Sequence, residues 1–296
     1  MKRMLTVFAV LVLTAGVAAA QFSAQLDRVD DLIRVDDYDA AMSLLQTLEG
    51  QAAGNAEKAE VYWRYAQAVL GIGDLQIDAE APLDQILATF ERGEAYADRA
   101  IQADPDNHLG YYWKSANIGK WGKTKGILDS LFKAGPMRDL LVEAITRSPN
   151  HADSYYVLGQ LYEKVPGVIS FGNTDYSVSL GRRAVDLMEA DLISGEREKF
   201  SEDFYIQLAS HLIARNWNER KRDREYANKT RNFRSARTEL ERGFNYEGTV
   251  EIPEMDDREE AAIILREMID RLQAISDPLP SDTRRLAEAQ ELLAGI

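Results

Sequence analysis

The sequence predicts an all-α protein built as a solenoid of helical hairpins. Helix-favouring residues, above all Ala, Leu, Glu, Arg and Gln, are abundant in the 296-residue chain. Two stretches are alike: DPDNHLGYYW, which begins at Asp104, and SPNHADSYYV, which begins at Ser148. In each, a proline is followed six residues later by the first of two tyrosines. A supersecondary unit repeated in this way predicts stacked hairpins.

Apolar residues recur at helical spacing through five predicted hairpins. Tyr155, Leu158 and Tyr162 form one helical stripe, and Gly159 lets the partner helix approach closely. Pro149 ends the preceding helix because proline cannot donate the next hydrogen bond. The key positions of the other hairpins are Ala41, Leu45 and Leu48; Trp63, Ala66, Leu70, Gly93, Ala97 and Ala100; Tyr111, Met137, Leu141 and Ala144; and Tyr205, Leu208, Ala209, Leu212, Phe233, Ala236, Leu240 and Phe244.

These positions resemble the tetratricopeptide repeat (TPR), a two-helix unit of about 34 residues whose helices are termed A and B. We therefore expect a TPR-like helical-hairpin solenoid with elongated loops inside the repeats. The predicted division is a signal peptide over residues 1–20, the solenoid over 21–250 and C-terminal capping helices over 251–296.

Three joints between helix A and helix B are longer than the repeat requires. They lie after Leu70, after Ile118 and after Tyr162, and the last contains KVPGVISFGNTDY. Pro166 and Gly167 are expected to end helix A there, and Asn173 is a candidate cap for helix B. Every A–B turn of a solenoid emerges on the same side, so these extensions predict a binding face.

The N-terminus and the composition limit the functions that the chain can have. Lys2 and Arg3 precede an apolar run, and Ala18–Ala20 ends in small residues, so we expect cleavage after Ala20 and export to the periplasm. An uncleaved anchor helix is the alternative. The absence of cysteine excludes a disulfide scaffold, a zinc-thiolate site and a lipoprotein anchor. A net charge of −14 disfavours nucleic acid as a partner.

No motif indicates catalysis, a cofactor or a metal. GKWGKT at Gly119–Thr124 lacks the first glycine of a phosphate loop, since Asn117 stands there, and it is interpreted as the start of an inserted loop. The chain has three histidines, His108, His151 and His211; the first two hold nearly equivalent turn positions and are interpreted as capping or turn residues rather than a shared metal site. We therefore expect a non-enzymatic protein; a hydrolase or transferase ranks third among the hypotheses.

Inward positions of the A helices predict a groove. Arg64, Tyr112, Tyr156 and Gln160 are expected to line it, with Trp121 and Phe171 contributed by the joints. Aromatic side chains and one arginine suit a small hydrophobic or carboxylate ligand. The alternative is that the protein's own inserted loops fill the groove.

The segment 215–237 is strongly basic within this acidic chain. One interpretation is a solvated face balanced by acidic helices nearby. The other is a docking patch for an acidic partner or an anionic membrane surface, formed by the following residues: Arg215, Arg220, Lys221, Arg222 and Arg224.

Two TPR families are similar over roughly residues 60–188. PGVISFGN before SLGRRAVDL resembles the periplasmic T-component of TRAP transporters, and VYWRYAQA with YYWKSANIGKWGKTKG resembles the regulator of microtubule dynamics family. The first resemblance implies an oligomer-forming accessory of solute uptake, with a periplasmic protein partner such as a solute-binding protein. The alternative function is a cell-envelope scaffold that binds proteins and no small ligand.

Overall fold

The computed structural model describes residues 19–126, 131–168 and 170–296, and over these residues the secondary structure is helical, without strands. The predicted signal peptide lies outside the described residues except for Ala19 and Ala20. Within the described residues no helix combines the length and apolar character needed to cross a membrane. The all-α, solenoid-like fold is confirmed. The chain divides into two compact units, and the boundary in the sequence falls between Lys133 and Ala134.

The first unit contains α1 to α5 and a short 3-10 helix. Their bounds are α1 (19–34), α2 (Tyr38–Gln51), α3 (Asn55–Asp78), α4 (Leu83–Ala103), α5 (His108–Lys125) and the 3-10 helix Leu131–Lys133. The predicted apolar positions of α2, namely Ala41, Leu45 and Leu48, are fully buried. They pack with Val29 of α1 and Val61 of α3, so the first hairpin has the expected core.

The first long joint is helical, which corrects the expected loop. Helix α3 continues eight residues beyond Leu70, and α4 begins ten residues before Gly93, leaving only residues 79–82 between them. Gly71 and Gly73 do not end α3. A Cβ atom at either position would lie 2.3 Å from the ring of Tyr38 or Phe90, so these glycines allow close packing.

GKWGKT also lies within a helix. Residues Gly119–Thr124 belong to α5, which ends at Lys125, so the predicted loop start is wrong and the segment cannot form the extended phosphate-cradling turn. Part of the joint that follows, residues 127–130, lies outside the described residues.

The second unit contains α6 to α13 and a second 3-10 helix. Their bounds are α6 (Ala134–Arg147), α7 (Ala152–Lys164), α8 (Thr174–Ser194), α9 (Glu202–Arg215), α10 (Glu219–Ser235), α11 (Glu239–Phe244), the 3-10 helix Tyr246–Thr249, α12 (Asp257–Gln273) and α13 (Pro280–Ala294). Helices α7 and α8 form a hairpin around the buried side chains of Tyr155, Leu158 and Tyr162.

The repeated proline–tyrosine spacing has one structural cause. The Tyr111 hydroxyl donates to the Pro105 carbonyl oxygen at 3.1 Å, and the Tyr155 hydroxyl donates to Pro149 at the same distance. Each tyrosine thereby ties the first turn of an A helix to the turn that precedes it. The sequence similarity is therefore a structural repeat.

The third long joint, between α7 and α8, is a loop, as predicted. Helix α7 ends at Lys164, and Asn173 caps α8 by accepting from the backbone N–H groups of Asp175 and Tyr176. A Cβ atom at Gly172 would lie 1.7 Å from the Val165 carbonyl oxygen, so the two ends of the loop almost touch. Val168 at the tip is 98% exposed, whereas Ile169 lies outside the described residues.

The predicted fifth hairpin is wrong in its second helix. Residues 233–244 do not form one helix, because α10 ends at Ser235 and α11 begins at Glu239. Helix α9 instead packs against α12. Residues 216–256 are thus an insertion between two helices of one hairpin; it is called the insertion below.

Candidate binding site in the second unit

The predicted groove residues of the first unit are engaged with their own neighbours. Arg64 is buried and donates to both carboxylate oxygens of Asp30, at 2.8 Å each, and to Glu60 at 2.7 Å. Its charge is therefore already balanced by two carboxylates. The half-buried Tyr112 ring lies edge-on to Trp113, with centroids 4.9 Å apart.

Trp121 also has partners within the first unit. Its indole nitrogen donates to Glu91 at 3.0 Å, and Lys133 Nζ lies 4.3 Å from its ring centroid. Phe132 meets the same ring edge-on. Trp121 thus acts as a packing residue at the end of α5.

The predicted groove residues of the second unit pack within it. Tyr156 stacks on Phe204 of α9 at a centroid distance of 4.7 Å, and Gln160 donates to Gln207 of α9 at 2.9 Å. Burial raises the pKa of Tyr156, and nearby carboxylates add to that shift. The structure therefore places Tyr156 and Gln160 against α9 rather than around an open ligand.

Phe171 folds back onto its own hairpin. Its ring meets Tyr162 edge-on at 5.3 Å, and the guanidinium carbon of Arg138 lies 4.7 Å above it. Tyr162 is also in contact with Tyr176 and Phe244, which stack on each other at 4.0 Å. Phe171 is thus one member of an aromatic cluster that anchors the joint between α7 and α8.

The basic segment separates into buried and exposed cations. Arg215 and Arg222 are buried, so they are not part of any exposed docking patch. Arg220 and Arg224 are exposed, and Lys221 is half-buried. Only these last three of the predicted docking residues can meet a partner.

A buried ion network surrounds Arg215 at the base of the insertion. Its guanidinium donates to both oxygens of Asp257, at 2.9 and 2.8 Å, and to Glu247 at 2.5 Å. Asp257 also accepts the backbone N–H of Trp217 at 2.8 Å, and its own N–H donates to the Trp217 carbonyl at 2.9 Å. The two ends of the insertion are thereby pinned together.

The remaining members of the network connect α8, α10 and α12. Arg182 forms a bidentate pair with Glu260, at 2.8 and 2.7 Å, and Arg222 donates to the same carboxylate at 2.5 Å. Lys229 donates to Glu247 at 2.8 Å and pairs with Asp175 at 2.5 Å. The four cations Arg182, Arg215, Arg222 and Lys229 thus meet four carboxylates.

Two carboxylates of this network, Glu247 and Glu260, are held in the ionised form. Burial by itself disfavours a charged Glu247, but Lys229, Arg182 and Arg215 outweigh that cost and hold the pKa of Glu247 well below its usual value. Burial likewise raises the pKa of Glu260, but the hydrogen bonds and charges of Arg182 and Arg222 outweigh it and lower that pKa. A buried network with all its charges matched favours one arrangement of the helices, because separating a pair would leave a buried charge without a partner.

A polar cleft of about 470 Å³ opens beside the network and is the candidate binding site. Lys229 lies at the cleft and links it to the buried carboxylates. Amide, hydroxyl and carboxylate groups dominate its lining, which consists of Asn173, Asp175, Tyr176, Glu225, Asn228, Lys229, Asn232, Ser235, Ala236, Arg237, Glu241 and Asn245. Such a lining can hydrogen-bond a polar ligand and offers little to an apolar one.

The buried histidine–carboxylate pair of His211 and Glu163 is closed to substrates. His211 is fully buried, and its Nδ1 lies 2.5 Å from Glu163 Oε2. Burial lowers the pKa of His211; hydrogen bonds from His211 and Lys164 overcome the burial of Glu163 and lower its pKa to about 2. Across the described residues, no cluster of His, Cys, Asp or Glu could hold a metal ion.

A comparison with known families bears on the first part of the chain. Residues 25–165 match the family model described as RMD1-3, Regulator of microtubule dynamics protein 1-3. The RMD1-3 match runs from α1 to the end of α7, so it contains both proline–tyrosine ties but not α8. The ion network and the insertion lie beyond the RMD1-3 region, and the TRAP T-component resemblance has no corresponding match. A search of curated proteins finds no match for the chain.

Sequence reasoning did not identify the ion network. Its members span residues 175–260, and no local period links them. The one available signal is the basic segment itself, since so many cations in an acidic chain require nearby carboxylates. That signal cannot tell which cations are buried.

Proposed function

We propose that the chain is an exported, non-catalytic helical-repeat protein that acts by binding another protein. The predicted export signal, the solenoid-like fold and the RMD1-3 match support this proposal. The groove residues support it too, since Arg64, Tyr156 and Gln160 are occupied by the protein's own side chains. This arrangement favours the scaffold alternative over a groove ligand.

The observation that carries the proposal is a surface of the first unit where exposed apolar side chains have acidic neighbours. It is called the acidic edge here. It comprises Val35 in the α1–α2 turn and Leu75, Ile77 and Leu83 at the α3–α4 turn, which are between 41% and 70% exposed. The first turn lies against α3, because Tyr38 hydrogen-bonds Asp36 while its ring packs against Gly71, one helical turn before Leu75. Exposed large apolar side chains in the same part of a unit are candidates for an interaction site.

The charge around the acidic edge selects its partner. Residues 35–57 and 65–91 contain no Lys, Arg or His, and Asp36, Glu80 and Asp84 are exposed there. The cations beside this surface are paired with carboxylates, Lys120 with Asp74 and Arg34 with Asp31. An amphipathic helix that combines apolar and basic residues complements this surface in both respects. We therefore propose a cationic amphipathic segment of a partner protein as the occupant.

The test is fluorescence anisotropy with a labelled Lys/Leu amphipathic peptide of about 18 residues, long enough to form a helix. The Leu75→Ser/Ile77→Ser variant should weaken binding about tenfold or more, because each buried aliphatic side chain contributes about 1.5–3 kcal/mol. Ile193→Ser is the matched control, since Ile193 is 89% exposed in the second unit. Equal loss in both variants, or equal binding of a Glu/Leu peptide, would contradict the proposal.

A photo-crosslinker at residue 77 extends the test to the source organism. The partner captured there, and not by a crosslinker at residue 193, should contain a basic amphipathic segment. A captured partner without such a segment would contradict the proposed occupant.

The second candidate function is an accessory of a TRAP-type solute-uptake system that binds a periplasmic solute-binding protein. The polar cleft favours it, since its volume of about 470 Å³ falls in the range of ligand sites, and its amide and hydroxyl groups favour a polar ligand over a hydrophobic one. Native mass spectrometry should then reveal a retained small molecule that Asn228→Leu/Asn232→Leu releases. Transporter permease genes next to the gene would support this candidate.

Export and self-association belong to the same proposal. The exported protein should begin at Gln21, which the intact mass of the mature chain would reveal. The proposed homo-oligomer should exceed the mass of one chain in light scattering. A retained N-terminal segment or a monomer at working concentration would remove the corresponding element of the proposal.

A further inference from the structure

A second cavity, of about 370 Å³, lies at the elbow between α9 and α10. It is called the elbow pocket here. Its lining contains four cations, one indole ring and two amides: Arg215, Arg220, Lys221, Arg224, Trp217, Asn216 and Asn218. No carboxylate lines it, although the chain as a whole carries a net charge of −14.

The exposed cations of the elbow pocket are only weakly balanced by ion pairs. The buried network matches its four cations with four carboxylates, so Arg215 has no charge to spare. Arg220 and Lys221 form no ion pair with the described residues, and Arg224 pairs with Glu225 through its Nε, at 3.4 Å. Part of the surplus positive charge of the basic segment is therefore concentrated at this pocket.

The helix geometry directs these cations to one side. Arg220, Lys221 and Arg224 stand at i, i+1 and i+4, which places them within about 100° of one another around α10. Glu219 and Asp223 occupy the other exposed flank of the helix and do not line the pocket. Of the α10 carboxylates, Glu225 pairs with one of the three cations, Arg224, through a single contact of 3.4 Å.

Trp217 gives the pocket a rigid wall. Asp257 bonds both backbone polar groups of Trp217, at 2.8 and 2.9 Å. Lys221 Nζ lies 4.3 Å from the indole centroid, and the guanidinium carbon of Arg215 lies 4.4 Å from it. A lysine held by an aromatic ring keeps its charge, so Lys221 remains able to attract an anion.

We propose that the elbow pocket binds a phosphate group carried by a small molecule or a lipid headgroup. Two guanidinium groups and one ammonium group supply planar bidentate donors together with a point charge, which is the combination that phosphate oxygens accept best. The cavity is large enough for a phosphorylated headgroup but too small for a folded macromolecule. This site is independent of the acidic edge and of the polar cleft.

The first experiment is calorimetric titration of the full chain with inorganic pyrophosphate at about 0.15 M salt, where exposed charges are screened beyond about 8 Å. Arg220→Gln/Arg224→Gln should weaken binding by at least about tenfold. Arg231→Gln/Arg234→Gln is the matched control, because it removes the same charge from exposed positions of α10 that do not line the pocket. Unchanged circular dichroism and melting temperature would show that both variants are folded.

Either of two results would overturn the proposal: no pyrophosphate binding by the unaltered protein, or equal losses in the two double variants. The source of the phosphate is read from flotation with phosphatidylcholine vesicles, with and without phosphatidic acid. Retention on the acidic vesicles that requires Arg220 and Arg224 indicates a lipid headgroup. Pyrophosphate binding without vesicle retention indicates a free phosphorylated molecule.

Discussion

At the scale of single residues, two glycines make room for a buried histidine. His211 of α9 lies between α7 and α8, and a Cβ atom at Gly159 would lie 2.8 Å from its Nε2. A Cβ atom at Gly181 would lie 2.8 Å from its Cδ2. The glycine that the sequence pattern assigned to the approach of two helices thus serves a third helix as well.

We predict that Gly159→Ala lowers the free energy of unfolding by about 1–3 kcal/mol, because the added methyl group overpacks the site around His211. Urea denaturation measures the change. Gly50→Ala is the control: nothing lies within 4 Å of a Cβ atom there, and alanine in a helix is favoured by about 0.5–1 kcal/mol. A Gly159→Ala variant as stable as the original would contradict the close contact.

His211 also predicts a dependence of stability on pH. Burial keeps its pKa in the folded protein below the ordinary 6.5, so in mild acid the unfolded chain takes up a proton that the folded chain does not. Stability should therefore fall as the pH falls below about 6.5. Glu163, whose pKa is about 2, adds a further loss as the pH falls below about 4.5.

His211→Gln provides the test, since glutamine can donate to Glu163 but does not titrate. The variant should be less stable than the original protein at pH 8 because packing is lost. The difference between the two free energies of unfolding should become smaller at pH 5. Parallel pH profiles would show that His211 does not contribute to the pH dependence.

At the scale of secondary-structure elements, the ion network decides how the insertion folds. Helix α10 is strongly polar, and among its residues only Arg222 and Lys229 are buried. Apolar burial therefore contributes little to holding α10 in place, and the pairs with Glu247, Glu260 and Asp175 take over that role. A basic helix is thus attached to an acidic protein by charge.

We predict that Glu247→Gln destabilises the protein by about 3–5 kcal/mol, because it leaves Arg215 and Lys229 without their shared carboxylate. Hydrogen exchange should accelerate first in α10 and much less in α7. Asp139→Asn, in an exposed pair with Arg138, is the control and should change stability by less than about 1 kcal/mol. A small effect of Glu247→Gln, or uniform acceleration of exchange, would refute this role of the network.

At the scale of the whole molecule, the net charge of −14 and the basic elbow pocket act over different distances. A long polyanion meets the overall negative field, whereas a small anion meets only the local cations. We predict that the protein does not shift duplex DNA in an electrophoretic assay at about 0.15 M salt. A net negative protein is repelled by the phosphate backbone and does not gain affinity from counterion release. A shift that weakens steeply with added salt would contradict this prediction.

The sequence by itself determined the helical class, the positions of most helices and several of the helix ends. Helical stripes, proline stops and caps such as Asn173 depend on residues within a few turns of one another, so a local reading finds them. The spacing of Pro149 and Tyr155 belongs to the same group, since one hydrogen bond explains it.

Only the tertiary structure decided which helix pairs with α9 and which cations of the basic segment are buried. Helix α9 pairs with α12 across the insertion, and Arg215 is buried while Arg220 five residues later is exposed. Both outcomes depend on carboxylates as far along the chain as Glu260, because a buried charge is stable only where an opposite charge meets it in space. Local periodicity carries no information about ion pairs between residues so far apart in the sequence.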